Sequence, residues 1–239
     1  MCEYSFIVPV LNEENKLEDC LTEIKNSIKK HNMDAEIIVV DNGSSDNSKI
    51  IAKQNGARVF CCSNEGYGNA INFGISKADG KYSIMGDADG SYDFFMIDSM
   101  ISKMHNSDII VGNRFTNKKE DNKIVDSKRR VSKIISKIAN KLFKTQISDY
   151  NCGFRIFNTN VVKSLALKSD GQEINTEMIL IAQINKLRLK EVSISFSKNL
   201  GHEVSTYKPI EDFWKNIKLI LKIKLNQKKY KFNYIGENK

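Results

Sequence analysis

Apolar, β-branched runs alternate with helical segments along the first 111 residues, and this alternation constrains the fold more than any other feature of the chain. Strands are predicted at residues 5–10, 36–40, 58–61, 82–85 and 108–111. Helices are predicted at about 14–30, 46–54, 70–75 and 94–105. Continuously apolar strands that alternate with helices are typical of parallel sheets covered on both faces. The chain is therefore predicted to form an α/β domain with a doubly wound, mostly parallel sheet.

The composition indicates a globular protein kept in a reducing compartment. With 239 residues and 41% hydrophobic content, the chain is long and apolar enough to bury a sizeable core. Its five cysteines form no CxxC motif, so neither a disulfide framework nor a zinc knuckle is predicted. The N-terminus lacks a basic segment followed by an apolar run, and no stretch approaches the roughly 18 apolar residues of a spanning helix. We therefore expect a cytoplasmic protein.

Positive charge is concentrated in two segments. The net charge is +8, yet residues 118–144 carry ten Lys and Arg against three acids, and residues 208–231 carry eight against two. Such segments are expected to contact anions, either phosphates or a lipid surface. Nucleic-acid binding is not expected, because aromatic residues are not interleaved with the basic runs to form a stacking platform.

Three polar clusters follow predicted strands, at residues 9–13, 41–46 and 87–89. Ligands of open parallel sheets bind beyond the carboxyl ends of the strands, where these clusters are expected to meet. Acids gathered there repel one another unless a cation lies between them. Asp87 and Asp89 suit Mg²⁺ or Mn²⁺, which prefers a few carboxylates completed by substrate phosphates. We expect Asp41 to accept a hydrogen bond from a nucleotide base, with Pro9 and its neighbours along the nucleoside.

The sequence lacks the two most common phosphate-binding loops. No GxxxxGK[ST] motif occurs, and residues 66–71 fall short of the GxGxxG pattern. Gly66 and Gly68 nevertheless precede a predicted helix, where glycines let the N-terminal amides of a helix approach a ligand. A simple turn is the alternative explanation for this pair.

An ordered set of motifs links these clusters: VPVLNEE (8–14), IIVVDNGSSD (37–46), NEGYGNAINFGISKADG (64–80) and MGDADGSYDF (85–94). In these motifs the chain resembles the GT-A glycosyltransferases of family 2, over about residues 1–215. Three further motifs are similar to the polyprenyl-phosphate sugar transferases, the group that includes dolichol-phosphate mannose synthase: GNRF (112–115), DYNCGFRIF (149–157) and EINTEMILIA (173–182). The resemblance implies a GT-A fold, a nucleotide-sugar donor, Mg²⁺ or Mn²⁺, and a polyprenyl phosphate acceptor on the cytoplasmic leaflet.

The resemblance also assigns roles to individual residues. It implies that the nucleotide sugar is bound by Pro9, Glu13, Asp41, Gly66 and Asp87. Asp87 and Asp89 are implied to hold the metal. Catalytic roles fall to Asp89, Arg114 and Arg155. The acceptor phosphate is implied to contact Arg114, Arg155 and Lys208.

The acceptor determines whether the reaction needs a base. A sugar hydroxyl must lose its proton to a positioned carboxylate, and Glu177 is the candidate for that role. A phosphate monoester has a second pKa of about 6 and is already largely dianionic at pH 7, so it requires cations instead. Arg114, Arg155, Lys208 and the basic cluster 128–144 provide those cations, which favours a phosphate acceptor.

Two basic amphipathic helices are predicted, at residues 128–144 and 210–224. Either helix could lie in a membrane interface, and packing of its apolar stripe on the core is the alternative. The expected organisation is a glycosyltransferase domain at 1–208 followed by a basic helix and polar tail at 209–239. We expect a peripheral protein on the inner face of the membrane, with a membrane protein as a possible partner.

These observations predict an inverting glycosyltransferase that moves a hexose from a nucleotide-diphosphate sugar to a polyprenyl phosphate. The alternative is a family 2 enzyme that adds a sugar to a glycan hydroxyl during surface polysaccharide synthesis. The sequence leaves open which sugar and which nucleotide base are used, and the oligomeric state.

Overall fold

A computed structural model describes residues 2–116, 126–195 and 209–232. In the described residues, one seven-stranded sheet has the order β3-β2-β1-β4-β6-β5-β7. The strands are β1 (Tyr4–Val10), β2 (Ala35–Asp41), β3 (Arg58–Cys61), β4 (Tyr82–Met85), β5 (Ile109–Asn113), β6 (Arg155–Asn158) and β7 (Leu189–Ser193). All paired strands are parallel except β6, which is antiparallel to both β4 and β5.

Eight α-helices are described between and after these strands. They are α1 (Leu17–Lys30), α2 (Ser48–Gln54), α3 (Tyr67–Lys77), α4 (Ile97–Met104), α5 (Asp126–Phe143), α6 (Thr159–Ser164), α7 (Ile174–Ile184) and α8 (Pro209–Leu225). Short 3₁₀ helices at Phe94–Met96 and Gln227–Tyr230 precede α4 and follow α8. The five predicted strands and the helices between them are confirmed, with ends that differ by a few residues.

The centre of the sheet is buried on both faces. Side chains alternate between the two faces along a strand, yet Phe6, Ile7 and Val8 of β1 are all fully buried. The same holds for Ile38, Val39 and Val40 in β2, which explains why both strands are continuously apolar. Helices therefore cover both faces, and the predicted doubly wound, mostly parallel sheet is confirmed.

The antiparallel strand β6 was not predicted, and it determines what lies near the carboxyl ends of β4 and β5. Arg155, the first residue of β6, is paired with Met85 at the end of β4 and with Val111 in β5. Because β6 runs in the opposite direction, the residues just before it reach the same edge of the sheet as those just after β4. Segments 149–154 and 86–89 therefore meet at the edge where ligands of parallel sheets bind.

The two predicted amphipathic helices correspond to α5 and α8, which contact each other, and α8 also contacts α7. The buried face of α5 includes Ile135 and Ala139, and that of α8 includes Ile220 and Ile223. Within the described residues, no helix is both long enough and apolar enough to cross a membrane. The division of the chain at residue 208 stays a prediction.

Candidate active site

Hydrogen bonds between backbone N–H groups and side-chain oxygens connect the loops that follow β1 and β2. The Asn12 N–H donates to Ser44 Oγ over 3.0 Å, and Asn12 Oδ1 accepts from the Ser45 N–H at 2.8 Å. The Glu13 N–H donates to Ser48 Oγ over 2.9 Å. Asn12 itself has a left-handed φ of 57°, which asparagine tolerates better than most residues. The predicted clusters after β1 and β2 therefore form one rim.

Asp41 closes a tight turn at the end of β2. Its Oδ2 accepts from the Gly43 N–H at 3.3 Å, and its Oδ1 accepts from the Ser44 N–H at 3.2 Å. Lys49 Nζ lies 3.5 Å from Asp41 Oδ2, and Asp41 is only 1% exposed. The Asp41 carboxylate is therefore engaged by its own turn and by Lys49, and its predicted contact with a nucleotide base stays a prediction. Pro9, partly exposed on β1, pairs in register with Val40 of the neighbouring strand.

The glycines before α3 have a structural use that the sequence did not predict. The Gly66 N–H donates to Asn42 Oδ1 at 2.8 Å, and the Gly68 N–H donates to the Asp170 carbonyl at 2.7 Å. A Cβ on Gly66 would lie 2.4 Å from the Asp170 carbonyl oxygen, and one on Gly68 would lie 2.2 Å from that of Ser169. The backbone that approaches these glycines is therefore the segment 169–171 of the same chain. The Gly66 amide is thus engaged by Asn42 and the Gly68 amide by Asp170, and the predicted contact of Gly66 with the nucleotide sugar stays a prediction.

The candidate site is centred on the carboxylates of Glu13, Asp87 and Asp89. Burial raises the pKa of Asp87 to about 7, helped by the charge of Asp89. Burial likewise raises the pKa of Glu13 to about 7, with Asp89 and Asp87 contributing. These acids therefore lie close enough to repel one another, as predicted from their positions after β1 and β4.

This group of acids fits a divalent cation bound together with phosphate. Among the residues that the structure describes, no set of three or more His, Cys, Asp or Glu side chains is arranged to hold a metal ion. Two carboxylates completed by substrate oxygens are the usual ligands of Mg²⁺ in phosphate sites. Burial and, after it, mutual repulsion raise the pKa of Asp87 and Glu13, and a cation among the carboxylates would relieve both effects.

Three residues that the sequence analysis did not single out surround Asp87. Tyr67 Oη donates to Asp87 Oδ1 at 3.0 Å, and the Gly153 N–H donates to Tyr92 Oη at 3.0 Å. A Cβ on Gly153 would lie 2.9 Å from Tyr67 Oη and 3.1 Å from Asp87 Oδ2. Each of the three lies inside one of the sequence motifs 64–80, 85–94 and 149–157, where nearby charged or glycine residues draw more attention. Only the three-dimensional contacts show that these residues belong to the site.

Arg114, which follows β5, is held in place by a buried acid. Its Nε and one terminal nitrogen donate to the two Asp149 oxygens at 2.7 and 2.9 Å, and Ser132 Oγ of α5 lies 3.3 Å from the same carboxylate. Burial alone would lower the pKa of Arg114, but Asp149 outweighs it and keeps the pKa well above its usual value. Its charge also acts to lower the pKa of Asp87, which places this permanent cation near the acidic group.

Arg155 lies elsewhere than the sequence predicted for a phosphate ligand. It is fully buried, and its three guanidinium nitrogens donate to the carbonyls of Tyr150, Cys152 and Asn175 at 2.7 to 2.9 Å. Direct contact with an acceptor phosphate is not available to a side chain in this position. The contacts instead indicate that Arg155 shapes the 150–153 turn, and so positions Gly153 beside Asp87.

Of two other cations predicted at the acceptor phosphate, the structure describes Lys128 but not Lys208. Lys128, in the first turn of α5, feels the charges of Asp89, Arg114 and Asp87, so it lies near the acidic group. Burial lowers the pKa of Lys128, while the two carboxylates act in the opposite direction. Lys208, predicted at the acceptor phosphate, lies outside the described residues.

Glu177, the candidate base for a hydroxyl acceptor, is 2% exposed on α7. Its Oε2 accepts from the backbone N–H groups of Lys168 and Ser169 at 2.9 and 2.8 Å. These bonds fix the segment that packs against the glycines before α3. The geometry therefore indicates a structural role for Glu177.

Comparison with known proteins identifies the family. The model of glycosyl transferase family 2 matches residues 5–166, which is more than half of the chain. The chain belongs to glycosyl transferase family 2. Of the residues given a role in the sequence analysis, Lys208 and the candidate base Glu177 lie outside the matched range, and the individually named others lie inside it.

The chain is similar to several curated proteins, and it covers a different share of the length of each. It is 27% identical to the low-salt glycan biosynthesis hexosyltransferase of Haloferax volcanii, over 91% of this chain and 52% of that protein. It is 28% identical to a dolichyl-phosphate beta-glucosyltransferase of Trichomonas vaginalis, over 84% of this chain and 67% of that protein. The chain thus spans about half the length of the first relative and two thirds of the second.

A solved structure confirms the GT-A fold of the glycosyltransferase. Glucosyl-3-phosphoglycerate synthase from Mycobacterium tuberculosis, crystallised with Mn²⁺, uridine diphosphate and glucosyl-3-phosphoglycerate, aligns with a TM-score of 0.72. The alignment covers 97% of this chain and 82% of that one, at 14% identity. At this identity the likeness establishes the fold.

Proposed function

We propose that this glycosyltransferase moves a hexose from a nucleotide-diphosphate sugar to a polyprenyl phosphate at the cytoplasmic face of a membrane. The observation that carries the proposal is the meeting of opposite charges at one sheet edge. The charges of Arg114 and Lys128 both act to lower the pKa of Asp87, and Asp89 also acts on the pKa of Lys128. Glu13 belongs to the same group, because Asp89 and Asp87 act to raise its pKa. A metal-bound diphosphate and an acceptor phosphate both find their counter-charges there.

In this proposal the donor binds along the rim formed by the loops after β1 and β2. Pro9, Glu13 and Asp41 lie along the nucleoside, and Asp87 and Asp89 hold Mg²⁺ or Mn²⁺ beside the diphosphate. When bound, the cation neutralises the charge that develops on the departing diphosphate. Gly66 and Arg155 act indirectly, because their polar groups are engaged by neighbouring parts of the chain.

The reaction is a displacement at the anomeric carbon. An oxygen of the acceptor phosphate forms the new bond to that carbon, the bond from the carbon to the donor diphosphate oxygen breaks, and nucleoside diphosphate leaves. The acceptor oxygen is already ionised at pH 7, so no base is required. Asp149 keeps Arg114 charged, and in this proposal Arg114 holds the acceptor phosphate in line with the anomeric carbon.

One of these relatives supports the lipid acceptor by its name. The protein of Trichomonas vaginalis is described as a dolichyl-phosphate beta-glucosyltransferase, whereas the name of the Haloferax volcanii hexosyltransferase refers to glycan biosynthesis and specifies no lipid. A hydroxyl acceptor requires a positioned carboxylate base, and Glu177 is committed to two backbone amides. The geometry at Glu177 therefore favours the phosphate acceptor.

The decisive experiment is a transfer assay with radiolabelled nucleotide sugars and a polyprenyl phosphate in the presence of Mn²⁺. We expect label from one donor to enter the organic phase. Conversion of Arg114 to Gln is expected to lower transfer at least tenfold, with the donor KM changed less than kcat. Label that enters only a water-soluble glycan, with none in the lipid, would contradict the proposed acceptor.

A further inference from the structure

Four large apolar side chains of α8 are exposed. Ile210 is 75% exposed, Trp214 54%, Leu221 49% and Leu225 84%. At 3.6 residues per turn, these positions fall within an arc of about 60° on one side of the helix. They are half of the eight large hydrophobic residues that are exposed in the described chain, and they lie along one side of a single helix. We call these four residues the α8 stripe.

The α8 stripe is separate from the face that holds α8 on the domain. The packed face contains Asn216, Ile220 and Ile223, all of which are buried. Asn216 Oδ1 accepts from Thr176 Oγ1 of α7 at 2.5 Å. The helix therefore has two apolar sides, and the packed one already supplies the contacts that fix it to the fold.

Lysines line one flank of the α8 stripe. Lys215, Lys218 and Lys222 lie on the flank away from the packed face, and all three are exposed. Exposed lysines continue past the end of α8 at Lys228, Lys229 and Lys231. Against them, the described part of this segment carries two acids, Glu211 and Asp212. An apolar stripe beside a row of lysines is the pattern of helices that lie in an anionic membrane interface.

The other basic helix, α5, lacks such a stripe. Its apolar residues Ile135, Ala139 and Phe143 are buried against the core, and Ile134, 46% exposed, is the one large hydrophobic residue exposed among its described side chains. Packing on the core thus explains the apolar residues of α5, but it does not explain the exposed apolar residues of α8.

We propose that α8 lies in the headgroup region of an anionic lipid bilayer, with the α8 stripe inserted and the lysines on the phosphates. This inference rests on the proposed function, because a lipid acceptor gives the enzyme a reason to bind a bilayer. It distinguishes α8 from α5 and gives the bilayer, rather than another protein, as the occupant of the stripe. Trp214 suits this position, because tryptophan is favoured where an apolar layer meets water.

The position of α8 relates the membrane to the active site. Thr176 Oγ1, which donates to Asn216, also lies 3.5 Å from Asn151 Oδ1, in the turn that carries Gly153. These two contacts link the packed face of α8 to the turn that carries Gly153. A bilayer bound to α8 would therefore lie against the part of the domain that also carries this turn.

Vesicle flotation of the full chain tests the inference. We expect the protein to float with phosphatidylcholine vesicles that contain phosphatidylglycerol, and to remain in solution with phosphatidylcholine alone. The double variant Trp214→Ser, Leu221→Ser is expected to lower the partition coefficient at least tenfold, because two large side chains no longer insert. Removing the charge of Lys218 and Lys222 by conversion to Gln should weaken binding about fivefold for each lysine.

Matched controls separate the stripe from general surface effects. Ile50→Ser, on α2, removes an apolar side chain that is equally exposed at 54%, and it should leave flotation unchanged. Wild-type flotation by the double variant would overturn the inference. So would a wild-type dimer in light scattering that the double variant converts to a monomer, because a second copy would then cover the stripe.

The same variants distinguish this inference from the proposed function. Transfer to a short-chain, water-soluble prenyl phosphate does not require a bilayer, so the double variant should retain wild-type transfer to that acceptor while losing it to acceptor in vesicles. If no prenyl phosphate accepts sugar but flotation depends on the stripe, the proposed function fails and the membrane site stands. Transfer that depends on lipid to the same degree in both proteins would overturn the membrane site alone.

Discussion

Asp87 is confined on several sides by residues distant in sequence. Tyr67 Oη donates to Oδ1, and Gly153 leaves room for Oδ2 because it lacks a Cβ. Tyr92, stacked on Phe154 at 5.4 Å, holds the Gly153 N–H. A carboxylate fixed in this way presents its free lone pairs in one direction, which is what a metal and diphosphate site requires.

Gly153→Ala should lower the affinity of the site for its ligand more than it lowers the stability of the fold. The new Cβ would lie 3.1 Å from Asp87 Oδ2 and 2.9 Å from Tyr67 Oη, so both side chains must shift. We expect the affinity for nucleoside diphosphate with Mn²⁺ to fall roughly tenfold by calorimetry, equivalent to about 1.4 kcal/mol. Gly74→Ala is the matched control, since its Cβ would lie 2.5 Å from Ile7 in the core. It should lower Tm and leave affinity intact, and equal affinity losses in both variants would contradict this account.

Tyr67→Phe tests the hydrogen bond to Asp87 without changing the shape of the side chain. The bond stabilises the ionised carboxylate and acts to lower the pKa of Asp87, so its loss makes the carboxylate a poorer cation ligand. We expect the apparent Mn²⁺ affinity at pH 7.5 to fall about three- to tenfold. Tyr82→Phe, at the amino end of β4, serves as the control. Unchanged Mn²⁺ binding in Tyr67→Phe would show that the bond has no such role.

The sequence was sufficient to predict that the acids lie together, but not which residues hold them in place. Glu13, Asp87 and Asp89 follow parallel strands, and the ends of parallel strands share one edge, so their meeting follows from local patterns. Gly153 reaches Asp87 only because β6 runs antiparallel beside β4. Arg155 was interpreted by its charge alone, whereas its burial against three carbonyls depends on how the 150–153 turn folds.

At the scale of elements, Glu36 of β2 links three neighbouring parts of the sheet. Its Oε1 accepts from Ser5 Oγ of β1 at 2.6 Å and from the Asp79 N–H before β4 at 2.8 Å. Its Oε2 accepts from Arg58 of β3. Burial alone would raise the pKa of Glu36, but these three donors outweigh it and hold the pKa below its usual value.

Glu36→Gln should therefore weaken the protein at neutral pH more than in acid. A carboxyl with a lowered pKa in the folded state adds stability above its unfolded pKa of about 4.3, and this stability disappears as pH falls through the folded value. We expect a loss of about 1 kcal/mol at pH 7 and a flatter dependence of stability on pH below 5 in urea titrations. Glu18→Gln, exposed on α1, is the control. Parallel pH curves for Glu36→Gln and wild type would contradict the assignment.

The elements that could not be predicted are those with weak local patterns. β6 has four residues and begins with a charged one, and β7 contains lysine and glutamate, so neither resembles the apolar strands at the centre of the sheet. Periodicity predicted α5 and α8 as amphipathic helices. It did not reveal that α8 keeps a second apolar side exposed, because only the packing of α7 and α5 determines which side is covered.

At the scale of the whole molecule, the candidate site is built from loops that depend on one another. The loop after β1 binds the loop after β2, Asn42 binds the Gly66 N–H before α3, and Gly68 binds the segment 169–171. The turn before β6 then closes on Asp87. A ligand that contacts this edge therefore binds the assembled fold and has no counterpart in the unfolded chain, so its binding free energy adds to global stability.

Mn²⁺ together with uridine or guanosine diphosphate should consequently raise Tm. At a ligand concentration of 100 Kd the stabilisation is about 2.7 kcal/mol, which for a chain of this size is a rise of roughly 5–10 °C. Asp89→Asn keeps an oxygen for the Ser91 N–H, which Asp89 Oδ1 accepts at 2.9 Å, but removes the charge. This variant should have a near wild-type Tm alone and lose most of the ligand-induced rise, whereas Asp19→Asn on α1 should retain it. A wild-type Tm that neither nucleotide moves would exclude a metal–nucleotide site at this edge, because binding to the folded state alone must stabilise it.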